Sequence, residues 1–106
     1  MPVAPTLVAA VFDGTLLTVT LTFDVAVDVG GFVPSQVNVI DGPNAQLFQA
    51  VSVTLEDPVT ARVDLTQVDS ASGDDVTLDA TPANGIVAVG GGMAWAGVAG
   101  LVLPWP

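Results

Sequence analysis

Apolar and polar side chains alternate with a period of two along much of this chain. The clearest case is the stretch Thr15 to Asp28, TLLTVTLTFDVAVD, in which threonines fill most of one face. The alternate positions on the other face are apolar: Leu17, Val19, Leu21 and Phe23. This period is typical of a strand with one face on a core and the other in water, and threonine itself favours an extended backbone. We therefore predict a strand here, at the centre of a small antiparallel sheet.

The same alternation predicts further strands, separated by turn residues at intervals of roughly 8–12 positions. These strands cover Thr6–Phe12, Val37–Ile40, Leu47–Leu55, Ala61–Val68, Val76–Ala80 and Ile86–Val89. The pattern also predicts faces. It places Leu7 and Ala9 on one side of the strand Thr6–Phe12. In the strand Leu47–Leu55 it places Val51, Val53 and Leu55 on the inward side.

Glycine, proline and acidic residues mark the turns between these strands. Asp13-Gly14 lies between two apolar runs and favours a type I′ hairpin turn, in which both central residues need positive φ. Asp41–Asn44 and Pro82–Gly85 predict two more turns, and Ser70–Asp75 predicts a polar loop. Sustained helical spacing is not found in the sequence.

These elements predict one all-β domain over residues 1–106, an antiparallel β-sandwich of about seven to eight short strands. Residues 1–5 hold two prolines and predict an extended N-terminal arm. Residues 90–106 form a Gly/Ala/Trp-rich apolar C-terminal segment, and no charged residue follows Asp79. The chain is long enough to bury a single core without disulfides.

The C-terminal segment has two interpretations. In one, Leu101–Leu103 is the closing strand and Trp95 fills one end of the core. In the other, the segment is an arm that docks on a neighbouring subunit, because uncharged apolar residues and tryptophan are typical of interface centres. The docking interpretation predicts these contact residues: Pro2, Val3, Met93, Trp95, Leu101, Leu103 and Trp105.

The charge is strongly one-sided. Eleven Asp and Glu residues stand against Arg62, with no lysine and no histidine, which gives a net charge of −10. Such a chain repels phosphate, so we expect neither nucleic acid nor a membrane as partner. The N-terminus lacks the basic region of a secretory signal, so we expect a complete product made in the cytoplasm or a piece trimmed from a larger protein.

Most catalytic chemistry is absent from the composition. The chain has no histidine, cysteine, lysine or tyrosine, so the common bases, nucleophiles and nitrogen or sulfur metal ligands are missing. We therefore expect no enzyme and no cofactor. Calcium, which binds oxygen ligands, is the one metal left open, at Asp24 with Asp28 or at Asp74 with Asp75; the alternative is that these aspartates cap turns.

The central stretch resembles bacterial immunoglobulin-like modules, including the SwmB-like repeat family, in which a strand reads roughly l-t-l-t-F-d-x-x-v-d. The hairpin Phe12-Asp13-Gly14 precedes the match, which covers about the first half of the chain. The matching residues are Leu17, Val19, Leu21, Phe23, Asp24, Val27 and Asp28. In place of the family's Asn- and Gly-rich final loop and closing strand, this chain has MAWAGVAGLVLPWP. The resemblance implies an immunoglobulin-like sandwich, a fold whose members serve as adhesin spacers, sugar binders and accessory domains of phage virions.

Two functions follow as hypotheses. The first is a structural virion protein, a phage capsid decoration protein whose terminal segments dock on the major capsid protein or other virion subunits and on copies of itself. The second is an adhesin or carbohydrate-binding module of a bacterial cell surface. Both are binding roles, and fold resemblance alone does not choose between them.

Overall fold

The computed structural model of the chain describes residues 4–41, 44–68, 75–90 and 93–103, with residues 41 and 44–47 described by their backbone only. Its strands are β1 Leu7–Asp13, β2 Thr18–Phe23, β3 Val27–Asp28, β4 Val37–Asp41, β5 Asn44–Asp57, β6 Thr60–Gln67, β7 Val76–Ala80, β8 Val87–Ala88 and β9 Val98–Leu103. A short 3₁₀ helix, Pro34–Gln36, precedes β4. The prediction of an all-β, antiparallel fold is confirmed.

Seven of the strands form one sheet in the order β1-β2-β6-β5-β4-β7-β9, and β3 pairs with β8 in a second sheet. The prediction that the threonine-rich strand lies at the centre of the sheet is wrong. That strand is β2, which pairs with the edge strand β1 on one side and β6 on the other. The middle position belongs to β5, because strand order depends on non-local pairing that alternation alone does not encode.

Strand β5 joins the two halves of the large sheet. Its first part pairs with β4, from Asn44 to Gln49, and its pairing with β6 runs from Phe48 to Asp57. The 14-residue strand contains two register shifts, and bulges of this kind bend a strand. The halves β1-β2-β6 and β4-β7-β9 therefore meet through β5 and share one core.

Aromatic contacts show how the sheet curls. Phe12 on β1 lies 5.2 Å from Phe48 on β5, ring centre to ring centre, although two strands separate β1 from β5 in the sheet. Phe23 on β2 packs edge-on against Trp95 at the same distance. All four side chains are buried in a single hydrophobic cluster, so the inner faces of the curled sheet close on one another.

The small sheet covers one end of this core. Val27 in β3 pairs with Ala88 in β8, and the backbone N–H of Trp95 donates to the carbonyl of Ile86 at 2.8 Å. Val27, Ile86 and Trp95 are all buried. We call the segment 84–95, as far as it is described, the end cap.

Asn84 holds the end cap together from within. Its side-chain Nδ2 donates to the carbonyls of Thr81, at 2.6 Å, and Trp95, at 3.0 Å, while its Oδ1 accepts from the N–H of Ile86 at 2.8 Å. Its own carbonyl accepts from the N–H of Val33. Because Asn84 is fully buried, these bonds replace water for the groups involved.

Alternation predicted the buried faces wherever the strands are regular. Val19, Leu21 and Phe23 on β2 are buried, as are the alternate apolar residues of β6 and β7: Ala61, Val63, Leu65, Val76, Leu78 and Ala80. The turn over 82–85 is also present. Residues 42–43 of the predicted Asp41–Asn44 turn and 70–74 of the predicted Ser70–Asp75 loop lie outside the described residues.

Bulges shift the faces of two strands. On β1 a register shift between Leu7 and Ala9 leaves Ala9 exposed, so that Leu7 packs on the core with Ala10 and not with Ala9. On β5 a shift between Ala50 and Ser52 leaves Val51 54% exposed, contrary to its predicted inward position. An inserted residue reverses the alternation beyond it, and nothing in the side-chain pattern marks the insertion.

The first hairpin turn also differs from its prediction. Asp13 belongs to β1 and β2 begins at Thr18, so the connection is four residues long and not two. The left-handed backbone, φ 55°, is at Leu17, and Asp13 Oδ1 accepts from the N–H groups of Thr15 and Leu16. The carboxylate stabilises this wider turn locally, as aspartate commonly does.

Candidate docking site

The terminal parts of the described chain form the two edges of the large sheet. β1 pairs only with β2 and β9 pairs only with β7 in the sheet order. Curling of the sheet brings Cα atoms of these edge strands within 8 Å of one another. Neither edge has a strand partner on its outer side within the described residues, and such edges offer backbone N–H and C=O groups for pairing.

A groove separates the two edges. Residues 5–10, 95–98 and 101–103 line it, and it encloses about 480 Å³. We call it the edge groove. None of its lining residues is charged, and most of the side chains are valine, leucine or alanine. An uncharged groove is notable in a chain with a net charge of −10, and it suits an apolar occupant.

Exposed valines add to this apolar surface, with Val8 and Val102 in the lining of the edge groove and Val11 outside it. Val8 and Val11 on β1 are 61% and 62% exposed, and Val102 on β9 is 60% exposed. On the regular strands β2 and β7, threonine or aspartate occupies the outward positions between core residues. The edge strands are therefore apolar on both faces, a pattern typical of strands that are covered on both sides.

Backbone N–H groups at both edges donate hydrogen bonds to aspartate side chains. Asp24 Oδ1 accepts from the N–H of Thr6, 2.8 Å away, at the entry to β1. Asp79 Oδ1 accepts from the N–H of Gly100, 3.0 Å away, inside a bulge that shortens the regular part of β9. With Asp13 at the end of β1, carboxylates stand at both ends of that strand.

The predicted interface residues divide into three groups. Trp95 and Leu103 are 3% and 2% exposed and belong to the core, so the core interpretation applies to them and their side chains are not available to a partner in this fold. Met93 is exposed, and Leu101 packs partly on the core beside the edge groove. Pro2, Val3 and Trp105 lie outside the described residues.

Sequence reasoning missed Val8, Val11 and Val102. The available signal was the absence of alternation in LVAAVF and VAGLVL, which differ in this respect from the central strands. An all-apolar strand does not say whether a second layer or a partner covers it. Only the strand order identifies these two as edges.

Positive charge is scarce on this surface. Arg62, the one cationic side chain of the sequence, lies on the outer face of β6 with its Nε 3.5 Å from Asp64 Oδ1. Both side chains are 39% exposed, so the pair contributes about 0–1 kcal/mol to stability. Asp64 Oδ2 also accepts from the hydroxyl of Ser52 at 3.2 Å. The electrostatic field around the domain is therefore negative.

The calcium candidates have local hydrogen-bonding roles where they are described. Asp24 binds the N–H of Thr6, and Asp28 Oδ1 accepts from the N–H of Gly30 at 2.8 Å. No group of three or more acidic side chains suited to a metal occurs among the described residues. Asp75 is exposed, and Asp74 lies outside the described part.

Comparison with known proteins identifies no relative of this chain. No protein-family model, no curated protein and no solved structure matches this chain. The resemblance to SwmB-like immunoglobulin modules stays a prediction. Within the described ranges, no helix has the length and apolar character needed to cross a membrane.

Proposed function

We propose that this chain is a non-enzymatic structural protein of a virion, which decorates the capsid by docking on the shell and on neighbouring subunits. The observation that carries the proposal is the pair of open sheet edges with uncharged surface between them. Such edges attract strands of other proteins unless something covers them. In an assembly a neighbour supplies that cover.

The chemistry of the chain supports a structural role. Histidine, cysteine, lysine and tyrosine are absent, and the edge groove holds no ionisable side chain. A groove lined in this way offers no ionisable side chain to act as a general acid or base, and so nothing to activate the hydroxyl of Thr6. What it offers is apolar area and backbone hydrogen-bonding groups, which are the materials of a protein interface.

Burial of Trp95 and Leu103 removes these two residues from the proposed docking surface. The terminal segments act through the strands they build, β1 and β9, and through the exposed Met93, while Trp95 and Leu103 stabilise the domain. The same burial leaves Trp95 without an exposed ring face for stacking on a sugar. We therefore favour assembly over the carbohydrate-binding alternative.

The proposal predicts that the chain co-sediments with virus particles. Lysate of the producing cells is separated on a density gradient, and each fraction is analysed by quantitative mass spectrometry. We expect the chain to co-band with the major shell protein at a constant ratio across the particle peak. Recovery only in low-mass soluble fractions, or in the cell envelope, contradicts the proposal.

A further inference from the structure

We propose that the β1 edge accepts an extended segment of a partner protein as an added strand, and that this segment is apolar with basic residues at its ends. The inference rests on the docking role proposed above and specifies its mechanism. Strand addition to an open sheet edge provides affinity through main-chain hydrogen bonds and specificity through alternate side chains.

Geometry favours β1 over β9 as the accepting edge. From Ala9 to Asp13 the pairing of β1 with β2 runs without a register shift, from Ala9 opposite Thr22 to Asp13 opposite Thr18. On β9 the regular pairing with β7 is limited to residues 101–103, since a bulge precedes them. A longer regular edge offers more consecutive hydrogen bonds to an incoming strand.

The side chains around β1 define an apolar occupant. On the inner side, Leu7 and Ala10 pack against the core and line the edge groove together with Leu101. On the outer side, Val8 and Val11 are exposed. Since side chains alternate between the faces of a strand, an added strand places every second residue over the groove and the others beside Val11. Both positions favour apolar or β-branched residues.

The net charge indicates whether the added strand comes from a second copy of this chain or from a different protein. Two copies of this chain bring a net charge of −10 each, which opposes their association. A basic segment is attracted instead, because a carboxylate lies at each end of β1. Asp24 accepts from the N–H of Thr6 before the strand, and Asp13 is its last residue. These carboxylates stand about 20 Å apart along an extended strand of this length, so they match basic residues roughly six positions apart.

The test uses a synthetic peptide, acetyl-Lys-Val-Thr-Val-Thr-Val-Lys-amide, and the full-length chain labelled with ¹⁵N. We expect amide chemical-shift changes centred on residues 9–13 and a dissociation constant in the range of about 10–500 μM. A control peptide with glutamate in place of both lysines is expected to bind at least about tenfold more weakly. A peptide with proline in place of the central valine is expected to lose binding, since it cannot complete the ladder.

Matched variants separate the edge from the rest of the surface. Val11→Lys places a like charge against the basic peptide and is expected to weaken binding about tenfold or more. Val51→Lys makes the same change at a similarly exposed valine of β5, which is the third strand from β1 in the sheet order, and is expected to bind as the unmodified chain does.

Four results overturn the inference: no shift changes at millimolar peptide, changes confined to β9 or elsewhere, equal binding of the glutamate peptide, or dimerisation of the free chain in sedimentation with concentration-dependent amide shifts over β1. The gradient experiment reports on the proposed function separately. Co-banding without peptide binding removes strand addition and leaves the virion role, whereas peptide binding without co-banding does the reverse.

Discussion

Gly85→Ala is expected to destabilise the domain by about 3–5 kcal/mol, enough to remove much of the stability of a domain this size. A Cβ atom at Gly85 would lie 1.9 Å from the carbonyl oxygen of Gly31 and 2.9 Å from the Cα of Phe32. Both are backbone atoms, so relief requires the end cap to move away from the 31–33 segment. Chemical denaturation followed by circular dichroism measures the change.

Gly90→Ala is the matched control for this variant. Gly90 has φ 81° against 82° for Gly85, but a Cβ there meets nothing within 4 Å. Both substitutions carry the cost of a left-handed alanine, about 1–2 kcal/mol, and only Gly85→Ala adds a backbone clash. Equal losses for the two variants contradict the close approach of Gly85 to Gly31.

Asn84→Asp is expected to cost about 3–5 kcal/mol and to lower the melting temperature by roughly 12 °C or more. The substitution replaces the Nδ2 donor by an oxygen that faces the carbonyls of Thr81 and Trp95, which Nδ2 reaches at 2.6 and 3.0 Å. The buried carbonyl of Trp95 then loses this donor, the carbonyl of Thr81 keeps only the backbone N–H of Asn84, and a carboxylate is buried beside both. Differential scanning calorimetry at neutral pH gives the shift.

Two further variants identify the cause of the stability loss expected for Asn84→Asp. Asn84→Ala removes the same hydrogen bonds without adding a charge and is expected to cost about 2–4 kcal/mol. Gln67→Glu makes an amide-to-carboxylate change on an exposed side chain of β6 and is expected to cost under about 1 kcal/mol. A loss for Asn84→Asp no larger than that of Gln67→Glu would rule out the buried network.

Gly85→Ala and Asn84→Asp both change the end cap, and the end cap positions one wall of the edge groove. Asn84 fixes the backbone at Trp95, and the chain passes from there through Gly97 into β9. Trp95 and Val98 both line the edge groove. Loss of the end cap is therefore expected to disorder one wall of the edge groove, so substitutions on the surface of β1 separate docking from folding better than changes in the end cap do.

Local patterns were sufficient for the class of fold and for most buried faces. On β2, β6 and β7 an uninterrupted alternation predicted the buried residues, because the period of a strand is two whatever its neighbours are. Alternation failed at Ala9 on β1 and at Val51 on β5, where bulges each insert one residue. It also placed β2 at the centre of the sheet, a position fixed by long-range pairing.

The docking surface was harder to predict for the same reason. Composition identified an uncharged C-terminal segment and drew attention to Trp95, the largest apolar side chain there that the structure describes. Large apolar side chains suit a core and an interface equally well, and the packing of Trp95 on Phe23 decides for the core. Val11, a smaller residue in an unremarkable strand, proved more exposed because it lies on the outer face of an edge strand.

Hydrogen–deuterium exchange of the particle-bound chain tests the central claim most directly. Exchange is followed by mass spectrometry for the free chain and for the chain in purified particles, with segment Leu7–Asp13 compared against Thr60–Gln67, which has strands on both sides. We predict that exchange over β1 slows by about tenfold or more in the particle while exchange over β6 stays unchanged. Equal exchange of β1 in the two states would contradict a docking role for the open edge.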